Sequence, residues 1–400
     1  MVNSKISFKK EDEPLFIQFC SKRELRFGSV KAYRYALRKY TEFTNKKLEE
    51  LIEEAEGEED EHPHIRLRKR KISIYLTNFK SALDESDLSE KTKNYVLLLV
   101  KAFYREFEIE IPKSKRGKSI NSTKIETIDD LPTMKEIERF MEYCNSVYKA
   151  IIVTGLSSGM SRAELSSLTF KHFYDAIPLE SYPETLPDAL DILKEKKDLI
   201  LFWNIERVKT GNKYFTFSSP ESLDRITTYL KELHHKHPEF NPKLEDKLFR
   251  SLSANNSIKP NTMGSMFNYT NKNHDFRRVN GCYVVRNHNL RKYFATTLER
   301  NKVPHLSTRW MLGHTIDKVT NAYFKADPEA VKEDYLKVVN ELTTNKVEIK
   351  VIDKHESIEQ ELNTIKEELK GVKEGLIIDS GKIPQELIDY IHLLESKQAH

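Results

Sequence analysis

Residues 288–323 constrain this chain more than any other part of its sequence. Apolar residues recur there at helical spacing: Leu290, Phe294 and Leu298. We expect that helix to end near Asn301, because Pro304 interrupts the pattern and can open the next helix. Gly313 is typical of the position just past a helix end, which would put His314 on the turn beyond it. The segment therefore predicts two helices followed by a tight turn.

Four polar side chains of this segment suit one chemistry, the attack of a tyrosine on a DNA phosphate: His288, Arg291, His314 and Tyr323. A phenol has an ordinary pKa of ~10, so it attacks poorly near neutral pH unless cationic donors neutralise the phosphate. Arginine offers a planar fork of donors that matches phosphate oxygens, and imidazoles can donate to the phosphate or accept the phenolic proton. His288 and Arg291 share one helix face. Each residue alone could be an ordinary surface or helix-capping residue. That explanation does not account for all four residues in this order and spacing.

Three stretches carry a family resemblance: His288-Asn-Leu-Arg291, Trp310-Met-Leu-Gly-His314 and Ala322-Tyr323. In order and separation they resemble the tyrosine recombinase (phage integrase) family. The resemblance implies that Tyr323 attacks the scissile phosphate, forming a 3′-phosphotyrosyl link and freeing a 5′-hydroxyl. It implies that Arg291 binds the non-bridging oxygens, that His314 donates to the phosphate, and that His288 orients the phosphate or accepts the tyrosyl proton. The covalent link conserves bond energy, so no ATP, metal or other cofactor is expected.

The resemblance departs from the family pattern at the first arginine, which the family places in Gly-x-Arg-x-x-Glu. Gly159 and Glu164 stand at the expected spacing, but Ser161 occupies the arginine position and Arg162 follows it. One residue is a turn of ~100° on a helix. Arg162 reaches the phosphate if the preceding loop has a different conformation from that of the family. Otherwise Arg162 is structural, and Arg291 is the only arginine that binds the phosphate. We expect Arg162 to bind the phosphate.

A β-hairpin is predicted in the middle of the chain. Residues 199–208 and 214–217 have the composition of two strands, and 209–213 form the turn between them. In the family a turn lysine reaches the minor groove and protonates the leaving 5′-oxygen, and Lys209 stands at the matching position. Taken alone, Lys209 would be an ordinary solvated lysine. The Lys-Thr-Gly and Thr-Phe-x-Ser-Pro-Glu sequences look most similar to integrases from archaea and their viruses.

The expected fold class is mainly α with a small antiparallel β-sheet (α+β). A chain of 400 residues should hold two or three domains at ~100–200 residues each. Four segments are predicted: a helical core-binding domain that grips DNA (1–111), a basic linker (112–124), the catalytic domain (125–343) and a helical, coiled-coil-like tail (344–400). Residues 252–287 are polar and are predicted to be loop-rich.

The charge balance requires any DNA-binding face to come from segregation of charges, because 66 basic and 62 acidic residues leave a net charge of only +4. Ser29 is a plausible N-cap for a helix through about Thr44. The candidate DNA-binding residues are Lys31, Arg34 and Arg38 on that helix, and Lys113, Lys115, Arg116 and Lys118 in the linker. They either neutralise phosphates or are ordinary solvated charges. The acidic run 49–61 is expected to be exposed.

The remaining features bear on compartment and partners. Three widely spaced cysteines indicate neither a disulfide framework nor a zinc site. No apolar leader and no run approaching ~18 apolar residues is present, so a cytoplasmic protein without a membrane segment is expected. Apolar residues from Ile358 to Leu376 fit a short coiled-coil seam, which would contact another protomer or fold back on its own domain.

The resemblance implies a site-specific recombinase or integrase that acts on double-stranded DNA at specific sites and integrates or excises a mobile element. The family reaction uses a homodimer on each site and a homotetramer in synapsis. Two alternatives remain open. One is a type IB topoisomerase-like enzyme that relaxes DNA by the same cleavage. The other is a DNA-binding regulator with impaired catalysis, which the serine at position 161 favours.

Overall fold

The structure is a computed structural model that describes residues 13–61, 65–112, 127–196, 198–207, 211–317, 320, 323 and 325–344. The chain divides into two compact units, 1–123 and 124–400. Several predictions lie outside the described residues: those for Lys209, for the linker residues Lys113, Lys115, Arg116 and Lys118, and for the tail.

The described part of the first unit is helical: α1 (Pro14–Lys22), α2 (Phe27–Thr44), α3 (Leu48–Asp60), α4 (Lys71–Asp84) and α5 (Glu90–Glu106). Their apolar faces meet in one core, where the rings of Phe19 and Phe103 pack edge to face at 5.2 Å. Ser89 caps α5, because its side chain accepts from the Thr92 backbone N–H at 3.3 Å. This unit therefore has an apolar core of its own.

The predicted start of α2 is wrong by three residues, because the N-cap is Arg26 and not Ser29. The helix begins at Phe27, and Ser29 lies inside its first turn, where its backbone N–H donates to the Arg26 carbonyl at 2.8 Å. Ser29 is therefore already helical and does not act as the cap. The predicted end at Thr44 is confirmed, because Asn45 turns the backbone into the left-handed region with φ 52°.

The acidic run 49–61 is not simply exposed, as had been expected. It forms α3, whose other face is buried in the core. Its carboxylates form ion pairs with the basic run at 66–71. The buried Arg70 donates to Glu59 at 2.7 Å, and Lys71 donates to Glu54 at 2.5 Å. Paired charges can be buried where single ones cannot, so the two runs stabilise each other.

The described part of the second unit contains ten named helices and two short antiparallel hairpins, which confirms the predicted fold class. The helices are α6 (Met134–Glu142), α7 (Ser146–Ser158), α8 (Arg162–Ser167), α9 (Phe170–Asp175), α10 (Leu186–Glu195), α11 (Pro220–Lys236), α12 (Pro260–Asn273), α13 (Asn287–Arg300), α14 (His305–Met311) and α15 (Pro328–Leu336). The strands are β1 (Leu201–Glu206), β2 (Lys213–Ser218), β3 (Arg278–Val279) and β4 (Cys282–Tyr283).

Helix α7 is central to this unit and packs against α11 and α13. It is buried continuously from Ala150 to Ser158, as expected of a helix that is apolar on every side. The helix ends at Gly159, whose φ of 66° is in the left-handed region that favours glycine. The backbone N–H of Gly159 donates to the Gly155 carbonyl at 3.1 Å. A glycine thus ends the helix, as the left-handed backbone there requires.

The predicted hairpin is confirmed, but β1 is shorter than predicted by two residues at each end, and β2 is longer by one residue at each end. β1 and β2 pair antiparallel, with Leu201 opposite Ser218 and Glu206 opposite Lys213. The indole N–H of the buried Trp203 donates to the Ser218 hydroxyl at 2.8 Å, so the hairpin is anchored in the core at the end away from its turn. At the other end of β1, Arg207 donates to the Gly313 carbonyl at 2.8 Å.

The prediction of a loop-rich passage over 252–287 is wrong. Helix α12 occupies its middle, with Pro260 at the first helical position and the apolar Met263 and Phe267 buried one turn apart. The asparagine-rich remainder of the helix had concealed this short apolar face. Arg277 is structural, since it donates to Glu136 at 2.9 Å and to the Leu131 carbonyl at 2.8 Å.

Candidate active site

The local structure around the predicted site follows the sequence signals. Helix α13 ends at Arg300 with Asn301 as its C-cap, as predicted. Pro304 is the N-cap of α14 rather than its first helical residue, a difference of one position. Gly313 has the predicted left-handed backbone, with φ 59°. A Cβ atom added there would lie 2.6 Å from the Tyr214 ring, so glycine is required by space as well as by conformation.

Arg291 is held rigidly by backbone carbonyls from two helix ends. One terminal nitrogen, Nη1, donates to the Gly159 carbonyl at 2.6 Å, and the other, Nη2, donates to the Leu312 carbonyl at 2.5 Å. The residue is 9% exposed, and burial lowers its pKa, an effect that the nearby Glu164 carboxylate opposes. A guanidinium has five N–H donors. These two bonds therefore leave donors for a ligand while fixing the plane of the group.

Glu164 is the buried counter-ion of this region, at 1% exposure. Its Oε2 accepts from the Ser161 backbone N–H at 2.6 Å and lies 3.6 Å from Arg291 Nη1. Ser161 in turn caps α8, so Ser161 and Glu164 form a capping box. Ser161 therefore has a structural role as the N-cap of α8. The Ser-x-x-Glu spacing in the sequence indicates this capping box.

Arg207 joins this cluster and was missed in the sequence. It directly follows β1 and donates from Nη1 to the Gly313 carbonyl at 2.8 Å. Its Nε lies 3.5 Å from Glu164 Oε1. One carboxylate therefore faces two guanidinium groups, those of Arg207 and Arg291. The sequence shows only an arginine at a strand end, and no local signal distinguishes it from a solvated charge.

His314 lies exposed on the turn after Gly313, and its backbone N–H donates to the Arg309 carbonyl at 3.0 Å. Partial burial of its ring lowers the imidazole pKa, and the positive charges of Arg291, Arg207 and Arg309 lower it further. The lower pKa favours the neutral imidazole, which can still donate one N–H to an anion. Its surroundings are cationic, as a phosphate site requires.

His288 stands in the first turn of α13 with an exposed side chain, one turn before Arg291. The helix thus places an exposed imidazole and a buried guanidinium on the same face. The side chain of His288 is accessible from solvent, whereas that of Arg291 is buried. This arrangement agrees with the spacing argument from the sequence.

Tyr323 is 80% exposed. Before it in the chain, the Asp317 carboxylate accepts from the Thr320 backbone N–H at 2.8 Å, the bond of a helix N-cap. This bond lowers the pKa of the Asp317 carboxyl. Tyr335, by contrast, is fully buried and donates to the Ser157 carbonyl at 2.8 Å, and burial raises its pKa. Of these two tyrosines, only Tyr323 is accessible to a DNA strand.

Arg162 is exposed at the start of α8. Its guanidinium lies over Gly264 of α12, so that a Cβ atom added to Gly264 would come within 2.2 Å of Nη1. The structure therefore brings Arg291, Arg207, His314 and Glu164 together, and it shows Arg162 against a different helix. The phosphate-binding role of Arg162 stays a prediction.

The predicted basic stripe lies on α2 of the first unit. Lys31 is exposed, Arg34 stacks over the Phe16 ring at 5.6 Å, and Arg38 pairs with Glu42 at 2.8 Å. Arg38 is exposed as well, so its ion pair is worth little. The charges stand on one helix face, and their role in DNA binding stays a prediction.

The structural neighbours of this chain are tyrosine recombinases and integrases. The XerH site-specific recombinase bound to difH substrate is 17% identical, with 80% of this chain and 82% of that chain covered and a TM-score of 0.47. The Tn1549 transposon integrase in complex with transposon right-end DNA is 15% identical, with 81% and 98% covered and a TM-score of 0.49. A lambda integrase tetramer bound to a Holliday junction is 12% identical, with 78% of this chain and 75% of that chain covered and a TM-score of 0.44.

Neither a protein-family model nor a curated protein matches the sequence. At the identities of the structural neighbours, a common fold does not establish a common activity. The activity of this chain therefore has to be inferred from its own side chains. Of the helices in the described residues, none has the length and apolar character needed to cross a membrane.

Proposed function

We propose that the chain is a site-specific DNA recombinase that cleaves and rejoins strands through Tyr323. The observation that carries the proposal is the cluster in which Arg291 and Arg207 share the Glu164 carboxylate beside His314. Two guanidinium groups facing one carboxylate leave a net positive charge. A pentacoordinate phosphate carries more negative charge than its ground state, so fixed cations of this kind stabilise the transition state selectively.

The proposed reaction exchanges one phosphodiester bond for another. The Tyr323 phenolic oxygen attacks phosphorus, the bond to the 5′-oxygen breaks, and a 3′-phosphotyrosyl link and a free 5′-hydroxyl result. His288 accepts the phenolic proton, and Lys209 supplies a proton to the leaving oxygen. Arg291 binds the non-bridging oxygens and His314 donates to them. Attack of a second 5′-hydroxyl on the link reverses the steps and rejoins the strands.

The partners proposed for this reaction are two DNA sites and four copies of the chain. The α2 stripe and the basic linker would bind the DNA backbone, and the segment from Ile358 to Leu376 would contact a neighbouring protomer. Integration or excision of a mobile element is the proposed outcome. A chain that relaxed plasmid DNA as a monomer, without pairing sites, would instead be a topoisomerase-like enzyme.

The first prediction concerns the nucleophile. On a nicked suicide substrate carrying the ends of the chain's own mobile element, the protein should become linked to a 3′-phosphate. Tyr323→Phe should abolish the adduct and leave DNA affinity unchanged, because the ring stays and only the attacking oxygen is lost. Adduct is measured on denaturing gels, and affinity by fluorescence anisotropy.

Tyr269→Phe is the matched control, because Tyr269 is similarly exposed, at 70%, on α12 of the same unit. It should form adduct at the wild-type rate. An undiminished adduct in Tyr323→Phe would overturn the assignment of the nucleophile. DNA binding without any adduct in the wild-type chain would favour the regulator, the alternative that Ser161 raises.

A further inference from the structure

We propose that Arg207 supplies the second phosphate-binding guanidinium of this active site, in place of the arginine that the family carries where this chain has Ser161. The inference rests on the proposed function. It concerns a residue from a different element, the hairpin rather than α8. Three observations support it: where Arg207 lies, where Arg162 lies, and how Arg207 is anchored.

Arg207 and Arg291 are arranged as a pair. They donate to consecutive carbonyls of one turn, those of Gly313 and Leu312, at 2.8 and 2.5 Å. Their other common partner is Glu164, with one carboxylate oxygen 3.5 Å from Arg207 and the other 3.6 Å from Arg291. The turn that holds both guanidinium groups leads directly into His314. A phosphate beside His314 therefore meets two arginines from two different elements.

The start of α8 directs Arg162 elsewhere. Arg162 and Glu164 are two positions apart, and residues so spaced point to nearly opposite sides of a helix. Glu164 faces Arg207 and Arg291, whereas Arg162 lies over Gly264 of α12. The Ser161 capping box holds this register. Moving Arg162 to the other side would break the cap and withdraw the shared carboxylate.

The hairpin gives Arg207 the rigidity that a phosphate ligand needs. Its backbone N–H donates to the Asn212 carbonyl at 2.8 Å, which continues the pairing of β1 with β2. The side chain is partly exposed, at 23%, so its remaining donors are accessible. A donor fixed before the substrate arrives does not have to be ordered during the reaction. In the sequence, Arg207 stands two positions before Lys209, the proposed proton donor.

The test uses the full-length chain and single-turnover adduct formation on the nicked substrate. Arg207→Ala should slow the adduct by on the order of 10²–10³, the usual effect of removing one preorganised donor to a developing oxyanion. DNA affinity should change less than about threefold. Arg207→Lys should restore little, because an ammonium lacks the planar fork. Circular dichroism melts of both variants check that they fold.

A matched control is Arg225→Ala. Arg225 is a partly buried arginine, 27% exposed, and it pairs with the buried Glu221 at 3.2 Å, much as Arg207 pairs with Glu164. It lies on α11 and should leave the rate unchanged. A substrate with a neutral methylphosphonate at the scissile position separates a chemical role from a structural one. The defect of Arg207→Ala should shrink on it if Arg207 neutralises phosphate charge, and should persist if Arg207 only supports the fold.

Each result assigns a cause. Normal cleavage by Arg207→Ala, or a defect of equal size on both substrates, overturns the role of Arg207 while the proposed function stands. If Arg162→Ala cleaves slowly and Arg207→Ala cleaves at the normal rate, Arg162 is the second phosphate-binding arginine. A wild-type chain that never forms adduct contradicts the proposed function itself, and the role of Arg207 falls with it.

Discussion

At the scale of single residues, Glu164 has the largest number of structural tasks in the site. It completes the cap of α8 and is the carboxylate that faces both Arg207 and Arg291. It is buried, so its negative charge is stable only because these cations and the backbone N–H of Ser161 surround it. The same charge keeps the two arginines from repelling one another before DNA binds.

Replacing Glu164 with glutamine should separate these tasks. Glutamine can complete a capping box, so the helix start should survive, but the two guanidinium groups lose their counter-ion. Breaking a buried pair typically costs ~3–5 kcal/mol, and we expect about 3 kcal/mol because Arg291 keeps its two carbonyl bonds. Urea unfolding of the full chain measures the change.

The control is Glu329→Gln. Glu329 forms an exposed pair with Lys332 on α15 at 3.9 Å. Its loss should change the free energy of unfolding by less than ~1 kcal/mol. Equal effects of Glu164→Gln and Glu329→Gln would show that Glu164 is not the counter-ion the distances indicate.

At the scale of elements, two helix ends build the arginine site. Helices α7 and α14 are followed by glycines with left-handed backbones, Gly159 and Gly313. The carbonyl of Gly159 accepts from Arg291 and that of Gly313 accepts from Arg207. Aromatic rings fill the space where a Cβ would be at both positions. The terminations of these helices therefore position the guanidinium groups.

Gly159→Ala should be destabilising for two reasons. Its left-handed backbone costs ~1–2 kcal/mol for a residue with a Cβ. The new methyl group would also lie 2.4 Å from the Phe294 ring, and overpacking of this kind costs ~1–3 kcal/mol. We expect a loss of about 2–4 kcal/mol in the free energy of unfolding, measured in urea. Cleavage should also be slower, because the Gly159 carbonyl that holds Arg291 moves.

Gly281→Ala isolates the first of these costs. Gly281 has a similar φ of 76°, and no atom lies within 4 Å of an added Cβ. The free energy of unfolding of Gly281→Ala should fall only by the backbone cost of ~1–2 kcal/mol. Its cleavage rate should be normal. A Gly159→Ala protein as stable and as active as Gly281→Ala would mean that the Phe294 contact does not constrain this helix end.

At the scale of the whole molecule, the charge balance makes DNA binding a matter of local arrangement. The net charge is only +4, so long-range attraction to DNA is weak and binding must come from clusters of cations. Lys31, Arg34 and Arg38 form one such cluster in the first unit. Arg291 and Arg207 form a second cluster in the second unit.

Replacing Lys31, Arg34 and Arg38 together with glutamine should weaken DNA binding and its salt dependence. Each lost phosphate contact reduces the slope of log K against log salt by ~0.9, so three lost contacts would reduce it by about 2.7. Anisotropy titrations over a salt series measure the slope. A control that neutralises Lys194, Lys236 and Lys332, which pair with acidic neighbours on other helices, should leave it unchanged. Equal slopes in the two triple variants would show that the α2 stripe does not contact DNA.

The sequence by itself determined the features that depend on near neighbours in the chain. The end of α13, the left-handed turn at Gly313 and the cap of α5 at Ser89 are of this kind. Caps, prolines, glycines and apolar periodicity act within a few residues, so their consequences can be derived locally. For the same reason, the ordered set from His288 to Tyr323 could be recognised from its spacing.

Only the tertiary structure decided which charges meet. Arg207 and Gly313 are 106 positions apart, and Arg291 and Gly159 are 132 apart. No local pattern records such contacts, because they form only when the hairpin, α7, α13 and α14 pack together. The pairing of the acidic run in α3 with Arg70 was missed for the same reason. Burial turns an arginine into a fixed donor, and burial is a property of the packed chain.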